Sequence, residues 1–274
     1  MRRTRRRPSI AWAVDHAGHT LAEAAVSLML ISLFVLAAFR CFSAARDTAA
    51  RITSRAFGVD SLRLAADAMT HDLFCAGSGL VSDDSGFAPL VTGPPLPGGP
   101  WTDSATVYAN NAGQVVVLAA PVLRGDRQLR AISASVEDGD RVLLRASGAW
   151  EAARVDDVRR HGPETHITLQ SPCAHDYTSA AGVTIVQYSY DRRSRRLYRS
   201  VNGGTRQPLL EECTGLRLCV ITRQDGRPVF GPVDFDSLLR ADCNYDLSVA
   251  GKTVSRRVPF LVGHLESGFF GRSL

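Results

Sequence analysis

The chain has 274 residues, of which 45% are hydrophobic and 22% are charged. This composition is that of a folded protein of one or two domains, and it excludes a largely disordered chain. The formal net charge of +5 does not indicate a nucleic-acid partner, because residues 1–18 alone carry +4, from five arginines and Asp15. The basic excess therefore belongs to a leader, and we expect no nucleic-acid partner.

A long apolar segment follows this basic leader. Leu21–Phe39 comprises 19 residues and contains only three polar ones, which is enough to span a bilayer as a helix. The arginines precede the segment and only Arg40 closes it, so the positive-inside rule keeps the N-terminus in the cytoplasm and sends the rest outward. The pattern predicts a leader over residues 1–18 and the transmembrane half of a helix over residues 19–40.

The boundary between leader and apolar segment differs from an ordinary secretory signal, whose apolar region precedes its cleavage site. Here the charges come first, Gly18 follows, and the apolar segment begins at once. A carboxylate such as Glu23, left unpaired at the centre of a membrane, would cost about 2.5–3.5 kcal/mol. Cleavage after Gly18 would give His19 an α-amino group with a pKa of about 7.7–8.0. That amine, on the same chain or on a neighbour, is a suitable partner for Glu23.

The helix is predicted to continue beyond the membrane as an amphipathic half over residues 41–76. No proline occurs between Pro8 and Pro89. Apolar residues recur at three- and four-residue steps, at Ile52, Ala56, Val59, Leu62, Ala66, Met69 and Leu73. Charged residues are assigned to the opposite side, at Arg51, Arg55, Asp60, Arg63, Asp67 and Asp72. This periodicity predicts one helix from Thr20 to Ala76, stopped by Gly77 and Gly79.

Residues 77–274 are predicted to form a β-rich head. A loop rich in proline and glycine covers residues 77–103. Short β-branched runs follow, at Thr106–Tyr108, Gln114–Ala119, Arg141–Arg145, His166–Leu169, Val183–Tyr190, Arg196–Val201, Leu216–Thr222 and Val258–Val262. Asp138-Gly139 and Asn202-Gly203-Gly204 are predicted hairpin turns, and Asp236–Ala241 a single helical turn. The fold class is therefore α+β, with a long N-terminal helix packed against a mostly antiparallel β-sheet head.

The cysteines are consistent with an oxidising compartment for the head. Cys41 lies at the edge of the apolar segment, and five more are candidates for disulfides: Cys75, Cys173, Cys213, Cys219 and Cys243. Because five is odd, at least one of them stays free or pairs elsewhere. Cys213 and Cys219 would lie about 20 Å apart in an extended strand, too far to bridge each other. Cys243 is a more suitable partner for either.

The boundary motif resembles the cleavage site of the type IV pilin and pseudopilin superfamily, G-F-T-L-x-E followed by an apolar helix. Gly18, Thr20, Leu21 and Glu23 match this pattern, and His19 replaces the usual phenylalanine. The resemblance implies cleavage between Gly18 and His19 by a prepilin peptidase and N-methylation of His19. It also implies that Thr20, Leu21 and Glu23 serve subunit assembly, with Glu23 pairing with the N-terminus of an adjacent subunit. The alternative is an uncleaved signal-anchor on an unrelated periplasmic domain.

The head is similar to W-type minor pilins and to the related J-type pseudopilins. The similar segments are Asp72–Gly77, Gly139–Leu144, Ile167–Leu169, Tyr188–Tyr190, Leu197–Ser200, Pro208–Leu210 and Gly215–Leu218. Val233–Gly251 departs from their pattern and leaves the choice between pilus and secretion apparatus open. Ser32 and Arg40 replace a glycine and a proline that major pilins usually keep, which favours a minor subunit.

Neither a metal site nor an enzyme is predicted. His161, His166, Cys173 and His175 match no zinc-ligand spacing, and Asp234, Asp236, Asp242 and Asp246 lack the glycine and terminal glutamate of a calcium loop. No G-x-S-x-G, H-E-x-x-H or P-loop motif occurs. A proton relay through Glu23 is the remaining chemical alternative, and a single carboxylate in one span supports it weakly. We expect no cofactor.

The sequence therefore predicts a minor pilin that helps to initiate or cap a type IV pilus. Its expected partners are other minor and major pilins or pseudopilins, the prepilin peptidase and the inner-membrane assembly platform. It is expected to cross the inner membrane once, with a periplasmic head, before it enters the filament. The alternatives are a J-type pseudopilin of a type II secretion system and a bitopic periplasmic binding or sensor domain.

Overall fold

The structure is a computed structural model that describes residues 21–80, 85–110, 112–249 and 251–260, with side chains except at 22 and 50–57. The chain divides into two compact units, Met1–Ala56 and Phe57–Leu274. Helix α1, Leu21–Phe74, belongs to both, and the remaining described elements belong to the second unit. The predicted Thr20–Ala76 helix is thus confirmed over nearly its whole length. Gly77, with φ of 78°, takes the left-handed conformation that favours glycine after a helix.

The head contains sixteen described strands and a short second helix. In chain order the strands are β1 Leu90–Thr92, β2 Ser104–Ala109, β3 Val116–Leu118, β4 Gln128–Ala134, β5 Arg141–Ala146, β6 Ala149–His161, β7 Glu164–Leu169, β8 Ser179–Gly182, β9 Thr184–Asp191, β10 Arg196–Val201, β11 Gln207–Leu210, β12 Cys213–Thr222, β13 Pro228–Val229, β14 Pro232–Val233, β15 Ala241–Val249 and β16 Lys252–Pro259. Helix α2, Phe235–Leu239, lies between β14 and β15. Asp234 caps α2, since its carboxylate accepts a hydrogen bond from the Ser237 N–H at 2.7 Å.

Two antiparallel sheets pack on the part of α1 that belongs to the head. The first sheet has the order β11-β10-β9-β2-β1-β14, and the second has the order β13-β12-β15-β16. Along β15 every second residue from Ala241 to Val249 is buried, because alternate side chains of a strand face the same side. These residues join Leu62, Met69 and Leu73 of α1 in the main core. The predicted packing of helix on antiparallel sheet is therefore confirmed within the head.

The third sheet has the order β3-β4-β7-β6-β5-β8 and carries a core of its own. Its two outer strands approach each other, since the Gly182 N–H donates to the Gln114 carbonyl at 3.3 Å. A Cβ atom at position 182 would lie 2.3 Å from the Gln114 Cβ, so only glycine permits this approach. The sheet thus curls around buried side chains such as Leu129, Val155 and Ile167.

A small aromatic cluster forms a third core. The Phe87 ring lies 5.4 Å from the Tyr108 ring and 5.1 Å from the Trp150 ring, both edge to face, the arrangement that aromatic quadrupoles favour. The cluster also includes Leu143 from β5 and Ile185 from β9. It therefore joins the first and third sheets.

Several local predictions differ from the structure. The predicted loop over residues 77–103 contains β1, which pairs with β2 and β14. Asp138-Gly139 is a turn, but it joins β4 to β5, which are not neighbours in their sheet. The turn at Asn202-Gly203 does form a hairpin, between β10 and β11. The C-terminal part of the predicted strand Val258–Val262 lies outside the described residues.

Candidate functional site

The first part of α1 is an apolar helix with exposed side chains. Glu23–Ala49 is long and apolar enough to cross a membrane. It is the one helix of that kind among the described residues, and it extends past Arg40, where the predicted membrane half ends. Phe34 is 77% exposed and Met29 66%. An exposed apolar helix of this length is consistent with a single-pass membrane anchor.

The polar groups of this segment are few. Ser32 donates its hydroxyl to the Leu28 carbonyl and Thr48 donates to the Ala44 carbonyl, both at 2.7 Å, so each hydroxyl is satisfied within the helix. Glu23 lies in the first turn of α1 and is exposed. A carboxylate at this position is favoured by the partial positive charge of a helix N-terminus.

The structure describes only part of the predicted boundary motif. Leu21 is 90% exposed at the start of α1, and Glu23 lies two residues further along. Gly18, His19 and Thr20, which carry the predicted cleavage and methylation site, lie outside the described residues. Processing at this site therefore stays a prediction.

In the head, Asp72 anchors α1 to the first sheet. Its carboxylate accepts a hydrogen bond from the Tyr188 hydroxyl of β9 and forms an ion pair with Arg199 of β10 at 2.9 Å. The Asp72 side chain is 8% exposed and that of Arg199 is 32% exposed. Burial and the Asp72 charge both raise the pKa of Tyr188, so its hydroxyl stays protonated and remains a donor. Burial lowers the pKa of Arg199, but the hydrogen bond and charge of Asp72 outweigh it and the net pKa is raised.

A second anchor joins α1 to the second sheet. The Tyr245 hydroxyl of β15 donates to the Ala66 carbonyl at 2.6 Å, and the Thr70 hydroxyl lies 2.8 Å from it. Burial raises the pKa of Tyr245, which keeps the hydroxyl protonated. Together the two anchors attach the head to consecutive turns of the same helix.

The prediction that Asp72 lies on the solvent face of the helix is wrong. Asp72 continues the row Ala65, Met69, Ala76 at three- and four-residue steps, and all four are buried. The spacing alone therefore placed it on the buried face. What the spacing did not reveal was its partner, Arg199, which lies 127 residues away in the chain.

The structure forms none of the predicted disulfides, since all six cysteines are free thiols. Cys219 faces Asn244 in the ladder between β12 and β15, whereas Cys243 faces Val220. Cys219 and Cys243 therefore lie on opposite faces of the sheet. Cys213 pairs with Val249 at the far end of the same ladder. Disulfide formation in the head therefore stays a prediction, and in this structure Cys243 faces neither Cys213 nor Cys219.

The thiols of the head are also in environments that favour the neutral form. Burial raises the pKa of Cys173 to about 11, with further contributions from Glu151 and Asp126. Burial likewise raises the pKa of Cys75, Cys213, Cys219 and Cys243. Because the thiolate is the reactive species, these cysteines are poor nucleophiles at neutral pH.

Cys173 and Asp242, which belong to the candidate zinc and calcium clusters, lie in other surroundings. The His161 and His166 rings lie 5.4 Å apart, while Cys173 is buried in the core of the third sheet. Asp242 forms ion pairs with Arg223 at 2.8 Å and Arg257 at 2.6 Å. Among the described residues no group of three or more His, Cys, Asp or Glu is placed to hold a metal ion.

Comparisons with family models, with curated proteins and with solved structures found no match to this chain.

Proposed function

We propose that this chain is a minor pilin, a subunit that helps to initiate or cap a type IV pilus. The observation that supports the proposal best is an exposed apolar stretch of α1, Glu23–Ala49, that begins with a carboxylate in its first turn. A helix that only anchored a domain would gain from an apolar residue at that position, since removing a charge improves insertion. A contact between this carboxylate and another subunit would offset that cost.

In this proposal, a prepilin peptidase cleaves after Gly18 at the cytoplasmic face and His19 becomes the methylated N-terminus. The chain then resides in the inner membrane with its head in the periplasm. On assembly, Glu23 pairs with the α-amino group of an adjacent pilin in the apolar interior of the filament. The antiparallel sheets of the head, which pack on the later turns of α1, are consistent with a pilin-like subunit. The motif serves a J-type pseudopilin of a secretion system equally well.

The test is complementation of a deletion strain with Glu23→Leu. Breaking a buried charge pair by removing one partner costs about 3–5 kcal/mol, which is enough to prevent incorporation at ordinary subunit levels. We expect the variant to accumulate in the inner membrane and to give no sheared surface filaments. Ser27→Leu, which also removes a polar group from the same apolar segment, is the matched control and should assemble normally.

Two readouts separate the proposal from its alternatives. Intact-mass measurement of the membrane-extracted protein should give a chain that begins at N-methyl-His19 in both variants. Retention of Met1 in cells that contain the peptidase would instead identify a signal-anchor, as expected for a binding or sensor domain. Normal filaments with Glu23→Leu would show that the carboxylate is not an assembly contact. If secretion rather than piliation is lost, the chain is a pseudopilin.

A further inference from the structure

A cleft of about 420 Å³ lies in the head where the first and second sheets meet. The loop of residues 96–101 forms one wall, the end of β9 forms the other, and the start of β12 forms the floor. Its volume is within the range of small-molecule sites. The cleft shares no residue with the apolar segment of α1.

The floor of the cleft is an irregularity in β12. In the ladder with β15, Cys213 pairs with Val249 and Gly215 with Ser248, so Thr214 is an extra residue without a partner in the ladder. Such bulges redirect side chains and are common next to binding sites. A Cβ atom on Gly215 would meet nothing within 4 Å, which means that the floor is open above this glycine. Thr214 is exposed and offers its hydroxyl there.

The walls of the cleft are fixed by hydrogen bonds. Thr102 and Leu218 exchange backbone hydrogen bonds at 2.8 and 2.9 Å, which ties the loop after Trp101 to β12. The Tyr190 hydroxyl donates to the Cys213 carbonyl at 3.1 Å, and the Tyr190 N–H donates to the Asp103 carbonyl at 3.0 Å. The site is therefore preorganised, which reduces the entropy lost on binding.

Two arginines and two aromatic rings line the cleft, and none of its lining residues is acidic. Arg192 forms an ion pair with Asp103 at 3.5 Å, so its charge is largely compensated. Arg217 is exposed and forms no ion pair among the described residues, although Asp246 of β15 lies opposite it in the ladder. Trp101 and Tyr190 are half-buried and line the cleft beside these arginines. The cleft thus offers one guanidinium outside the described ion pairs, next to two aromatic side chains.

We propose that this cleft binds an acidic saccharide, that is, a sugar ring that carries a carboxylate. A guanidinium such as Arg217 pairs with a carboxylate in a bidentate, charge-assisted geometry. The electron-rich faces of Trp101 and Tyr190 suit the C–H face of a sugar ring, and Thr214 supplies a hydroxyl for the ring oxygens and hydroxyls. A single free cation matches one carboxylate better than a nucleic acid, which carries one negative charge per nucleotide and requires several cations.

The test uses the full chain in detergent and three probes: tetragalacturonate, a neutral galactose tetrasaccharide, and an octamer of single-stranded oligo-dT. Isothermal titration should give saturable binding of tetragalacturonate, with at least about ten-fold weaker binding of the neutral sugar. Arg217→Gln should weaken binding of tetragalacturonate about ten-fold or more. Arg124→Gln, an exposed arginine in a loop of the third sheet, is the matched control and should bind as the wild type does.

A second variant distinguishes a loss of binding from a folding defect in Arg217→Gln. Thr214→Glu places a repelling carboxylate on the exposed floor of the cleft and should abolish binding while near-UV circular dichroism stays unchanged. Equal affinity for the two tetrasaccharides, or no saturable binding of tetragalacturonate, would overturn the proposal. So would an affinity unchanged by Arg217→Gln. Tighter binding of oligo-dT than of tetragalacturonate would replace the saccharide with a nucleic acid.

Discussion

The two parts of α1 contain similar apolar residues with opposite surroundings. In the first part Leu30 is 61% exposed, whereas Leu73 in the head is fully buried. Side chains of the head's own sheets cover Leu73, and the described side chains of Glu23–Ala49 are exposed apart from half-buried Ser43. The contrast shows that apolar residues of one helix can lie in two different environments along its length. Its later turns pack in the core of the head and stabilise it, whereas its earlier turns present an exposed apolar surface.

A matched pair of leucine-to-alanine substitutions gives the strongest test of whether the two parts of α1 differ in their contribution to stability. Leu73→Ala removes a fully buried side chain and should lower the free energy of unfolding of the head by about 2–5 kcal/mol, because it leaves a cavity. Leu30→Ala should change it by less than about 0.5 kcal/mol, because that side chain makes no contribution to the core of the head. Urea unfolding of the full chain in detergent, followed by near-UV circular dichroism, measures both. Equal effects would contradict the division of α1 into two roles.

The long helix and its apolar segment could be predicted from the sequence because their signals are local. The apolar run and the absence of proline up to Pro89 are visible in the letters themselves, and α1 ends within two residues of the predicted position. Strands rich in β-branched residues were found for the same reason, and β10 matches its prediction at both ends. Local sequence patterns are sufficient to predict an element whose conformation depends mainly on its own residues.

Other strands were missed because their pattern depends on tertiary packing. β6, Ala149–His161, carries charged residues at four of its last seven positions and is exposed at its end. β15 alternates Ala, Cys, Tyr, Leu and Val with polar residues and contains almost no β-branched side chain. The acidic saccharide cleft combines Trp101, Tyr190 and Arg217 from three distant segments. No spacing in the sequence predicts that they meet.

A buried polar residue of α1, Asp72, gives a second test of the difference between buried and exposed positions. Asp72→Asn keeps the shape of the side chain but removes the charge that holds Arg199 and Tyr188. We expect a loss of about 1.5–3 kcal/mol in the free energy of unfolding, the usual range for hydrogen bonds to a charged group. Asp67→Asn, on the same helix, is the control. Its ion pair with Arg63 is 3.9 Å long and exposed, so its loss should cost less than about 0.5 kcal/mol.

Urea unfolding of the full chain in detergent measures the free energy of unfolding of Asp72→Asn and Asp67→Asn. If Asp72→Asn is as stable as the wild type, the buried contact to β9 and β10 does not anchor the helix. Apolar packing by residues such as Met69 and Leu73 would then account for the attachment of the sheets alone.

The smallest expected effect concerns the acid stability of the second sheet, which depends on Asp242. Burial raises the pKa of this carboxyl, but the hydrogen bonds and charges of Arg223 and Arg257 outweigh it, so its pKa lies below the ordinary value. A carboxyl with a lowered pKa in the folded state stabilises the fold above its unfolded pKa, about 3.9. That contribution is lost as the pH falls through the folded pKa.

Asp242→Asn lacks this contribution at every pH. At pH 7 the wild type should therefore be more stable than the variant by about 1 kcal/mol, a modest value because solvent screens the two largely exposed arginines. Since the wild-type carboxyl becomes neutral in acid, the difference should shrink as the pH is lowered from 5 to 2. Asp60→Asn, an exposed position on α1 without an ion pair to a described residue, should show no such convergence. A stability difference between wild type and Asp242→Asn that stays constant from pH 7 to pH 2 would mean that the two arginines do not act on the carboxyl through its charge.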